Sequence, residues 1–315
     1  MLGRHGQAVK RPKSNGNIWD TGWSFWFLFI PATLVICLFP LRLSAAEFAP
    51  TVNKTLQGFE AVYSDTAPGL GFEVIGESFL TGKNLKESSR VSLKISFPIR
   101  KAFLIWAGEV KEPNENAEEI RLLVPGDKEI PVRAQRSWKK TSTGILYSAF
   151  AEVTKYVTGN GLYGVKNLRS ERMNPGGQDP YSVAGWALVV VAEDRKSEGI
   201  NSVVILSGLQ TLKPGETYDF PLVNHLPEGF WQPVSIGIIG GHGRVGNGSG
   251  NLLNGIALSG KDDWDGSAGK FWDIDIFTVE EHTNKYKDQR LTLTIDPLLQ
   301  WLYPIAMIMK LRSAE

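Results

Sequence analysis

Cysteine is nearly absent from this sequence, and its absence excludes several kinds of chemistry. Cys37 is the only cysteine among 315 residues, and it lies in an N-terminal apolar run that we expect to be removed. The remaining chain then has no thiol, so it forms no disulfide, no cysteine nucleophile and no cysteine-ligated metal site. With 42% hydrophobic and 21% charged residues, its composition is that of a chain that buries a core.

The sequence also lacks an excess of positive charge. Residues 1–46 hold five of the basic residues and one acidic residue, Asp20, so the remainder has 29 Lys and Arg against 32 Asp and Glu, a net charge of −3. Domains that bind nucleic acid carry a basic patch or a clearly basic balance. We therefore expect no nucleic-acid partner.

Two common signatures of enzymes and metal sites are missing as well. No G-x-S-x-G motif occurs, which removes the commonest sequence sign of a serine hydrolase. His225, His242 and His282 each stand without a second His or Cys at the spacing of zinc ligands. The sequence therefore predicts neither of these centres.

The first 46 residues have the pattern of an export signal. Four basic residues precede an apolar run over residues 23–41, and Ser44-Ala45-Ala46 places small residues where a signal peptidase cleaves. We predict export, with cleavage after Ala46. Two alternatives stay open. The apolar run is long enough to be an uncleaved membrane anchor, and Cys37 could mark a lipoprotein, although the bulky Ile36 precedes it.

The rest of the chain is organised around residues 181–194, YSVAGWALVVVAED. The middle of this stretch, residues 184–192, has no charged residue and contains three successive β-branched residues. A run of this kind predicts a strand that is covered on both faces. We expect it to be the central strand of the core.

Short segments with period-two alternation, bounded by Gly, Pro, Asn or Asp, recur along the chain and predict about fifteen strands. They include residues 91–97, 102–110, 119–124, 129–134, 144–153, 162–168, 200–206, 218–223, 234–239, 252–258, 271–279, 290–295 and 303–311, with one helical turn over residues 154–158. Residues 47–70 are expected to be a polar lead-in, and residues 71–315 a single domain. The predicted fold is all-β, a two-sheet β-sandwich of jelly-roll type.

Four strand segments, in this order and spacing, resemble a known module. They are residues 101–108 (KAFLIWAG), 147–157 (YSAFAEVTKYV), 161–165 (GLYGV) and 184–191 (AGWALVVV). Their succession is similar to a β-sandwich module near the start of large secreted bacterial and archaeal surface proteins, where tandem immunoglobulin-like repeats and a sorting tail often follow. The resemblance covers roughly residues 71–311 and implies an adhesin-like or structural role without catalytic residues. Because no repeats or tail follow here, we expect a stand-alone secreted unit.

A glycine-rich motif, Gly241-His242-Gly243-Arg244-Val245-Gly246, matches the dinucleotide-binding pattern G-x-G-x-x-G. That chemistry needs a helix whose N-terminus faces the pyrophosphate. The residues that follow, Asn247-Gly248-Ser249-Gly250-Asn251, are a poor helix start. We therefore expect a flexible loop between two strands.

Four aspartates after this loop are candidate calcium ligands: Asp263, Asp265, Asp273 and Asp275. Calcium takes several carboxylate oxygens from one turn, and Asp-x-Asp-Gly supplies part of such a loop. The first ligand position would, however, fall on Lys261. The alternative is a solvated turn, which Asp also favours.

Asp273 and Asp275 also allow a glycoside hydrolase, which uses two carboxyl groups. At positions i and i+2 of one strand they point to the same face. Because any alternating strand has this geometry, hydrolysis of a glycan remains the alternative function rather than the expected one.

The candidate ligand-binding residues are Trp264, Trp272, His242 and Asn247. Trp264 and Trp272 lie among Gly and Asp residues, where an aromatic ring can be a flat platform for a sugar or a protein partner. The alternative is that both rings cap the end of the sandwich. Trp106 and Trp186, inside apolar strands, are expected in the core.

We expect an exported, disulfide-free β-sandwich that binds a glycan or an envelope or surface protein. Its binding end is predicted from three loops, residues 174–180, 241–251 and 261–269, on the hypothesis that they share one edge. A separate basic cluster of Arg133, Arg136, Lys139 and Lys140 around Trp138 is expected to be a solvated strand end, with an anionic glycan as a secondary alternative.

Overall fold

The structure is a computed structural model that describes residues 58–113, 115–141, 144–174, 181–197, 199–229, 231–260, 262–279 and 291–313, together with Lys54, Thr55, Gly176, Gly177 and Asp179. The predicted export signal over residues 1–46 lies outside these residues, as do His282 and Lys261.

Strands dominate the described chain, so the predicted all-β class is confirmed. In chain order they are β1 Lys54–Thr55, β2 Phe59–Pro68, β3 Leu70–Ser78, β4 Leu80–Thr81, β5 Asn84–Leu85, β6 Ser88–Leu93, β7 Ile99–Val110, β8 Glu119–Val124, β9 Lys128–Arg133, β10 Arg136–Thr141, β11 Ile145–Glu152, β12 Gly161–Lys166, β13 Ala184–Glu193, β14 Ile200–Gly208, β15 Tyr218–Pro221, β16 Trp231–Gly241, β17 Gly250–Leu253, β18 Ile256–Ala257, β19 Trp272–Thr278, β20 Thr292–Asp296 and β21 Tyr303–Ser313. Three 3-10 turns cover Glu115–Glu118, Thr154–Tyr156 and Leu222–His225. Among the described residues, no helix is long and apolar enough to cross a membrane.

Four large sheets form the body of the protein. Sheet I has the order β6-β12-β8-β9, sheet II β10-β11-β7-β13-β3, sheet III β19-β16-β21-β14-β2 and sheet IV β1-β15-β20-β17-β18. Neighbouring strands in these sheets are antiparallel, except for β1 and β15, which are parallel. β4 and β5 form a separate two-stranded antiparallel hairpin.

The sheets are stacked in the order I, II, III, IV, with a separate apolar core in each gap. The expected two-sheet sandwich is therefore built twice. Sheets I and II form the N-terminal sandwich, and sheets III and IV form the C-terminal sandwich. Sheets II and III then pack face to face, which gives the protein a third core along the join.

β13 shows why both faces of the inner sheets must be apolar. Its residues alternate between two cores: Trp186 and Leu188 contact sheet I, whereas Ala187 and Val189 lie in the join with sheet III. The prediction of a strand covered on both faces is confirmed, although β13 is fourth of five strands and not the middle one. Burial on both sides stabilises this strand by roughly 2 kcal/mol for each large side chain.

Residues 59–70 do not form the expected polar lead-in. β2 pairs with β14 along the edge of sheet III, and β3, which begins at Leu70, pairs with β13 in sheet II. The sequence of β2, FEAVYSDTAP, is partly polar, and half of its residues are exposed at the sheet edge. Edge strands commonly carry such polar side chains.

The strand predicted over residues 91–97 is displaced. β6 covers Ser88–Leu93, its pairing with β12 ends at Leu93, and Phe97 is 46% exposed. Beyond the strand, the backbone N–H of Ile95 donates to Asn160 Oδ1 at 2.5 Å instead of to a neighbouring strand. The alternation of apolar and polar residues in the sequence therefore continues to Phe97, although strand pairing stops at Leu93.

Candidate functional site

The three loops predicted to share an edge lie together. Asp179 forms ion pairs with Arg244 at 3.3 Å and with Lys270 at 2.7 Å. The backbone N–H of Asn247 donates to Asp262 Oδ2 at 3.0 Å. These contacts connect the loop before β13 with the loops that follow β16 and β18.

A fourth loop, residues 297–302, joins them and was missed. Gln300 is buried there and donates from Nε2 to Ser249 Oγ at 2.7 Å, and its Oε1 accepts from Asn247 Nδ2 at 2.9 Å. The last strand, predicted over residues 303–311, begins at Tyr303 as expected, but the mostly apolar residues 298–302 before it were not recognised as a loop. Pro297 and Gln300 were the signals of a loop. We call this assembly of residues 242–249, 262–271 and 297–302 with Asp179 the loop face.

Trp264 and Trp272 are not exposed platforms. Trp264 is fully buried in the core between sheets III and IV, where its Nε1 donates to Asn251 Oδ1 at 3.1 Å. Trp272 is fully buried in the join between sheets II and III, and a Cβ added at Gly185 would lie 2.1 Å from its ring. Both rings fill the end of the sandwiches, which is the alternative role.

The exposed apolar side chains of the loop face belong to other residues. Trp301 is 41% exposed, Val245 and Leu299 are each 81% exposed, and Leu298 is exposed as well. A Cβ added at Gly248 would lie 3.2 Å from Leu298 Cδ1, so the two loops that carry these side chains are in contact. The exposed tryptophan of the loop face is therefore Trp301, and not Trp264 or Trp272.

An aromatic and cationic cluster lies beside Trp301. The ring of His242 stacks on Phe271 with centroids 5.3 Å apart and meets the edge of Tyr303 at 5.2 Å. The Arg244 guanidinium carbon and Lys270 Nζ lie 4.6 Å and 4.9 Å from the Phe271 centroid. Cations over an aromatic face are attracted by its negative face, which helps to fix both side chains.

His242 is neutral at pH 7 and holds the fourth loop. Burial, aided by the charge of Arg244, lowers the pKa of His242 to about 4. Its Nδ1 lies 3.1 Å from the carbonyl oxygen of Trp301. Because a carbonyl oxygen only accepts, Nδ1 carries the proton and donates it. Asn247, the other predicted polar contact, is half-buried with its amide bonded to Gln300.

Three residues of the loop face have strained backbone. His242, Phe271 and Leu298 have φ values of 75°, 57° and 47°, in the left-handed region that non-glycine residues avoid at a cost of about 1–2 kcal/mol each. Such conformations persist only where surrounding contacts fix them, and they concentrate at ligand-binding and active sites. The stacked rings and loop-to-loop hydrogen bonds supply those contacts here.

Asp273 has a structural environment. It is almost completely buried, and its Oδ1 accepts from the backbone N–H of Gly266 at 2.5 Å and of Ser267 at 3.4 Å. A Cβ added at Gly243 would lie 2.2 Å from Oδ2. Burial raises the pKa of Asp273 to about 7. Oδ1 therefore fixes the turn at Gly266, whereas Oδ2 is buried beside Gly243 without a hydrogen-bond partner among the described residues.

The other three predicted ligands differ in burial. Asp263 is buried, where its Oδ2 accepts from the Asn251 backbone at 2.7 Å and its Oδ1 from Ser259. Asp265 and Asp275 are half-buried, and burial raises the pKa of Asp275 to about 6. Among the described residues, no group of three or more His, Cys, Asp or Glu is arranged to hold a metal ion. The charges of Asp265 and Asp275 help to raise the pKa of Asp273, and calcium binding by these carboxylates stays a prediction.

No protein-family model and no curated protein matches the sequence. The chain is similar in structure to a cupin 2 conserved barrel domain protein from Leptotrichia buccalis, with 7% identity, coverage of 81% of this chain and 91% of that chain, and a TM-score of 0.26. It is also similar to a chain of Sulfolobus Turreted Icosahedral Virus, with 9% identity, 78% and 90% coverage and a TM-score of 0.25. A peptide-N(4)-(N-acetyl-β-D-glucosaminyl) asparagine amidase has 10% identity, 80% and 97% coverage and a TM-score of 0.22. TM-scores this low carry no argument about function.

Proposed function

We propose that the protein is an exported binding module, at the cell surface or outside the cell, that recognises a protein partner through its loop face. The observation that carries this proposal is the exposed apolar group of Val245, Leu298, Leu299 and Trp301 beside Arg244. Export is supported by the basic and apolar pattern of residues 1–46.

The composition of the loop face favours a protein ligand. Trp and Arg are the residues most enriched among those that dominate protein interfaces, and an exposed apolar patch with a polar rim is typical of such interfaces. Here Trp301 and Leu299 supply the apolar contacts, and Asp179, Arg244 and Lys270 form the charged rim.

The loops are also suitably rigid. Residues 242–249 and 297–302 are joined by the hydrogen bonds of Asn247, Gln300 and Ser249, and His242 anchors the carbonyl of Trp301. A surface that is already ordered loses little conformational entropy when a partner binds. The contacts that hold the strained backbone therefore also favour recognition.

Glycoside hydrolysis at Asp273 and Asp275 has less support. A catalytic carboxyl group must reach the sugar, whereas the oxygens of Asp273 contact the turn at Gly266 and the backbone around Gly243. If the protein hydrolysed a glycan, and Asp273→Asn abolished that activity without changing the melting temperature, glycoside hydrolysis would be supported again.

The test compares two exposed apolar sites. The full chain, its Leu299→Ser/Trp301→Ala variant and a control, Leu162→Ser, are applied to an array of extracellular proteins and to a glycan array. Leu162 is 46% exposed on β12 of sheet I. We expect protein binding that weakens at least tenfold in the loop-face variant and is unchanged in the control.

Equal protein binding by the wild type and the loop-face variant would contradict the proposed surface. Binding to glycans alone would contradict the proposed partner class, even if the loop-face variant abolished it.

A further inference from the structure

A groove with a cavity volume of about 310 Å³ lies on sheet I, far in sequence from the loop face. The residues that matter in its lining are Glu119, Arg121, Pro131, Arg133, Asn167 and Arg169. Sheet I is the outermost layer of the N-terminal sandwich, so its outer surface faces solvent, and the three arginines are exposed. The volume is at the lower end of the range for small-molecule pockets, about 300–1,000 Å³.

The fold opens this groove where two strands separate. β12 pairs with β8 only as far as Lys166 and Arg121. The next residue, Asn167, has φ 66°, which turns the chain away from β8. Asn tolerates this left-handed conformation better than most residues. The start of β8 therefore has no strand beside it on this side, and the groove occupies the gap.

The opposite wall is set by the register of β8 and β9. Glu119 pairs across the strands with Arg133, and Arg121 pairs with Pro131. Because side chains at i and i+2 of a strand share a face, these four side chains project to the same side of the sheet. Their buried neighbours Ile120 and Val132 point the other way, into the core with sheet II.

The arginines of the groove have few close ion pairs among the described residues, although the charge of Arg133 helps to lower the pKa of Glu118. Arg133 and Arg169 form no ion pair with any described residue. Arg121 has only a long contact of 3.9 Å with Glu129, which also pairs with Lys166 at 3.2 Å. The lining of the groove therefore contains three arginines and one acidic residue, Glu119.

Two other residues of the predicted basic cluster are paired instead. Arg136 and Lys139 lie on β10 in sheet II, where they bond Glu60 at 2.8 Å and Glu118 at 2.7 Å. Arg133 lies on β9, where it lines the groove with Arg121 and Arg169. Its charge also helps to lower the pKa of Glu118, the ion-pair partner of Lys139.

We propose that this groove binds a sugar ring that carries a carboxylate, sulfate or phosphate group. A guanidinium donates two parallel hydrogen bonds to such an oxyanion, which a single ammonium cannot do. The Asn167 amide suits sugar hydroxyl groups, and the Pro131 ring offers a small apolar contact. This site is independent of the loop face, so the protein would have two binding surfaces on different sheets.

The test is calorimetric titration of the full chain with glucuronate, glucose 6-sulfate, glucose 6-phosphate, glucose and inorganic sulfate. We expect binding of at least one anionic sugar that is tighter than that of inorganic sulfate, and none of glucose. Arg133→Gln and Arg169→Gln should each weaken it about tenfold. Arg136→Gln is the control, because it removes the same charge from an exposed arginine outside the groove, and it should leave binding unchanged.

One further variant separates a loss of binding from a loss of folding. Glu119→Gln removes the carboxylate that competes for the arginines, so it should tighten binding about threefold. Binding should also weaken as NaCl rises, because these charges are exposed to solvent. Absence of binding to every anionic sugar, equal effects of Arg136→Gln and Arg133→Gln, or equal affinity for inorganic sulfate and the anionic sugars would each overturn the proposal.

Discussion

The two sandwiches use the left-handed backbone conformation differently. In the N-terminal sandwich the non-glycine residues with positive φ are Asp127 and Asn167, whose short polar side chains tolerate it. In the C-terminal sandwich they are Asn254 and the bulky His242, Phe271 and Leu298, the last three all on the loop face. The N-terminal sandwich therefore turns its strands at low cost, whereas the C-terminal sandwich holds strained loops in place by specific contacts.

Buried ionisable groups show the same difference. Asp263 and His242 on the loop face, and Asp273 beside it in β19, each have a pKa shifted mainly by burial. In the N-terminal sandwich, Glu109 is the buried carboxylate among the described residues, and it accepts hydrogen bonds from Ser182 and Gly144. A region that retains strain and desolvated charge is typical of a functional site.

The largest expected effect distinguishes the buried Trp272, at the start of β19, from the exposed Trp301 on the loop face. Trp272→Ala should destabilise the protein by about 3–5 kcal/mol, because it leaves a cavity in the join between the sandwiches. Trp301→Ala should change stability by less than about 1 kcal/mol, because its side chain is partly solvated. Urea unfolding measures both. Similar losses would mean that Trp301 supports the fold rather than a ligand.

The second prediction concerns pH. The folded pKa of Asp273, about 7, is raised above its ordinary value of 3.8, so the folded state binds more protons than the unfolded state between these values. Its contribution to stability is complete below about pH 4 and is lost as pH rises towards 7, by up to about 4 kcal/mol. Wild-type stability should therefore fall across this range relative to Asp273→Asn. A constant difference between the two proteins would contradict the buried environment of Asp273.

The ionisation of His242 should make the stability of the protein change with pH in the opposite direction. Its folded pKa of about 4 is lowered from 6.5, so the unfolded state binds the extra proton between these values. Relative to His242→Gln, the wild type should gain stability as pH rises from about 4 to about 6.5. Denaturation at a series of pH values measures this difference, and a slope of the other sign would show that the imidazole is charged in the fold.

A smaller effect is expected from one added methyl group. Gly243→Ala should cost about 1–3 kcal/mol, because the new Cβ would meet Asp273 Oδ2 at 2.2 Å and the Trp264 carbonyl at 2.8 Å. Gly260→Ala, where a Cβ would meet nothing within 4 Å, is the matched control and should be nearly neutral. Thermal unfolding of the pair tests whether Gly243 is confined as described.

The smallest effect compares strain in the two sandwiches directly. Leu298→Gly should stabilise the protein by about 0.5–1 kcal/mol, because glycine adopts φ 47° without steric cost. Asn167→Gly should change stability by less than about 0.5 kcal/mol, since asparagine already tolerates this conformation. If both substitutions destabilised the protein equally by urea unfolding, the two sandwiches would not differ in backbone strain.

Much of the strand content could be predicted because local patterns determine it. The uninterrupted apolar run of β13 predicted a strand covered on both faces, and the strands predicted over residues 102–110, 119–124 and 129–134 correspond to β7, β8 and β9. The sequence also contained evidence for a second sandwich, because β14 and β21 are apolar on both faces. A lone two-sheet sandwich would leave one face of each strand in water and produce alternation instead.

The loop face was only partly predictable. Its three predicted loops do meet, but the burial of Trp264 and Trp272 depends on partners far along the chain, such as Gly185 in β13. The nearby aspartates suggested a solvated turn, whereas Asp263 and Asp273 accept backbone N–H groups inside the protein. Trp301 was overlooked because an apolar segment before a strand looks like more of that strand.

The central claim is that the loop face of the C-terminal sandwich contacts a partner protein. Its most direct test is site-specific photo-crosslinking of the full chain on cells of the organism that produces it. Benzoylphenylalanine is placed in turn at Leu299 and at Leu162, both of which are exposed. The account predicts a discrete crosslinked protein from position 299 and none from position 162. The same crosslinked protein from both positions, or from position 162 alone, would contradict it.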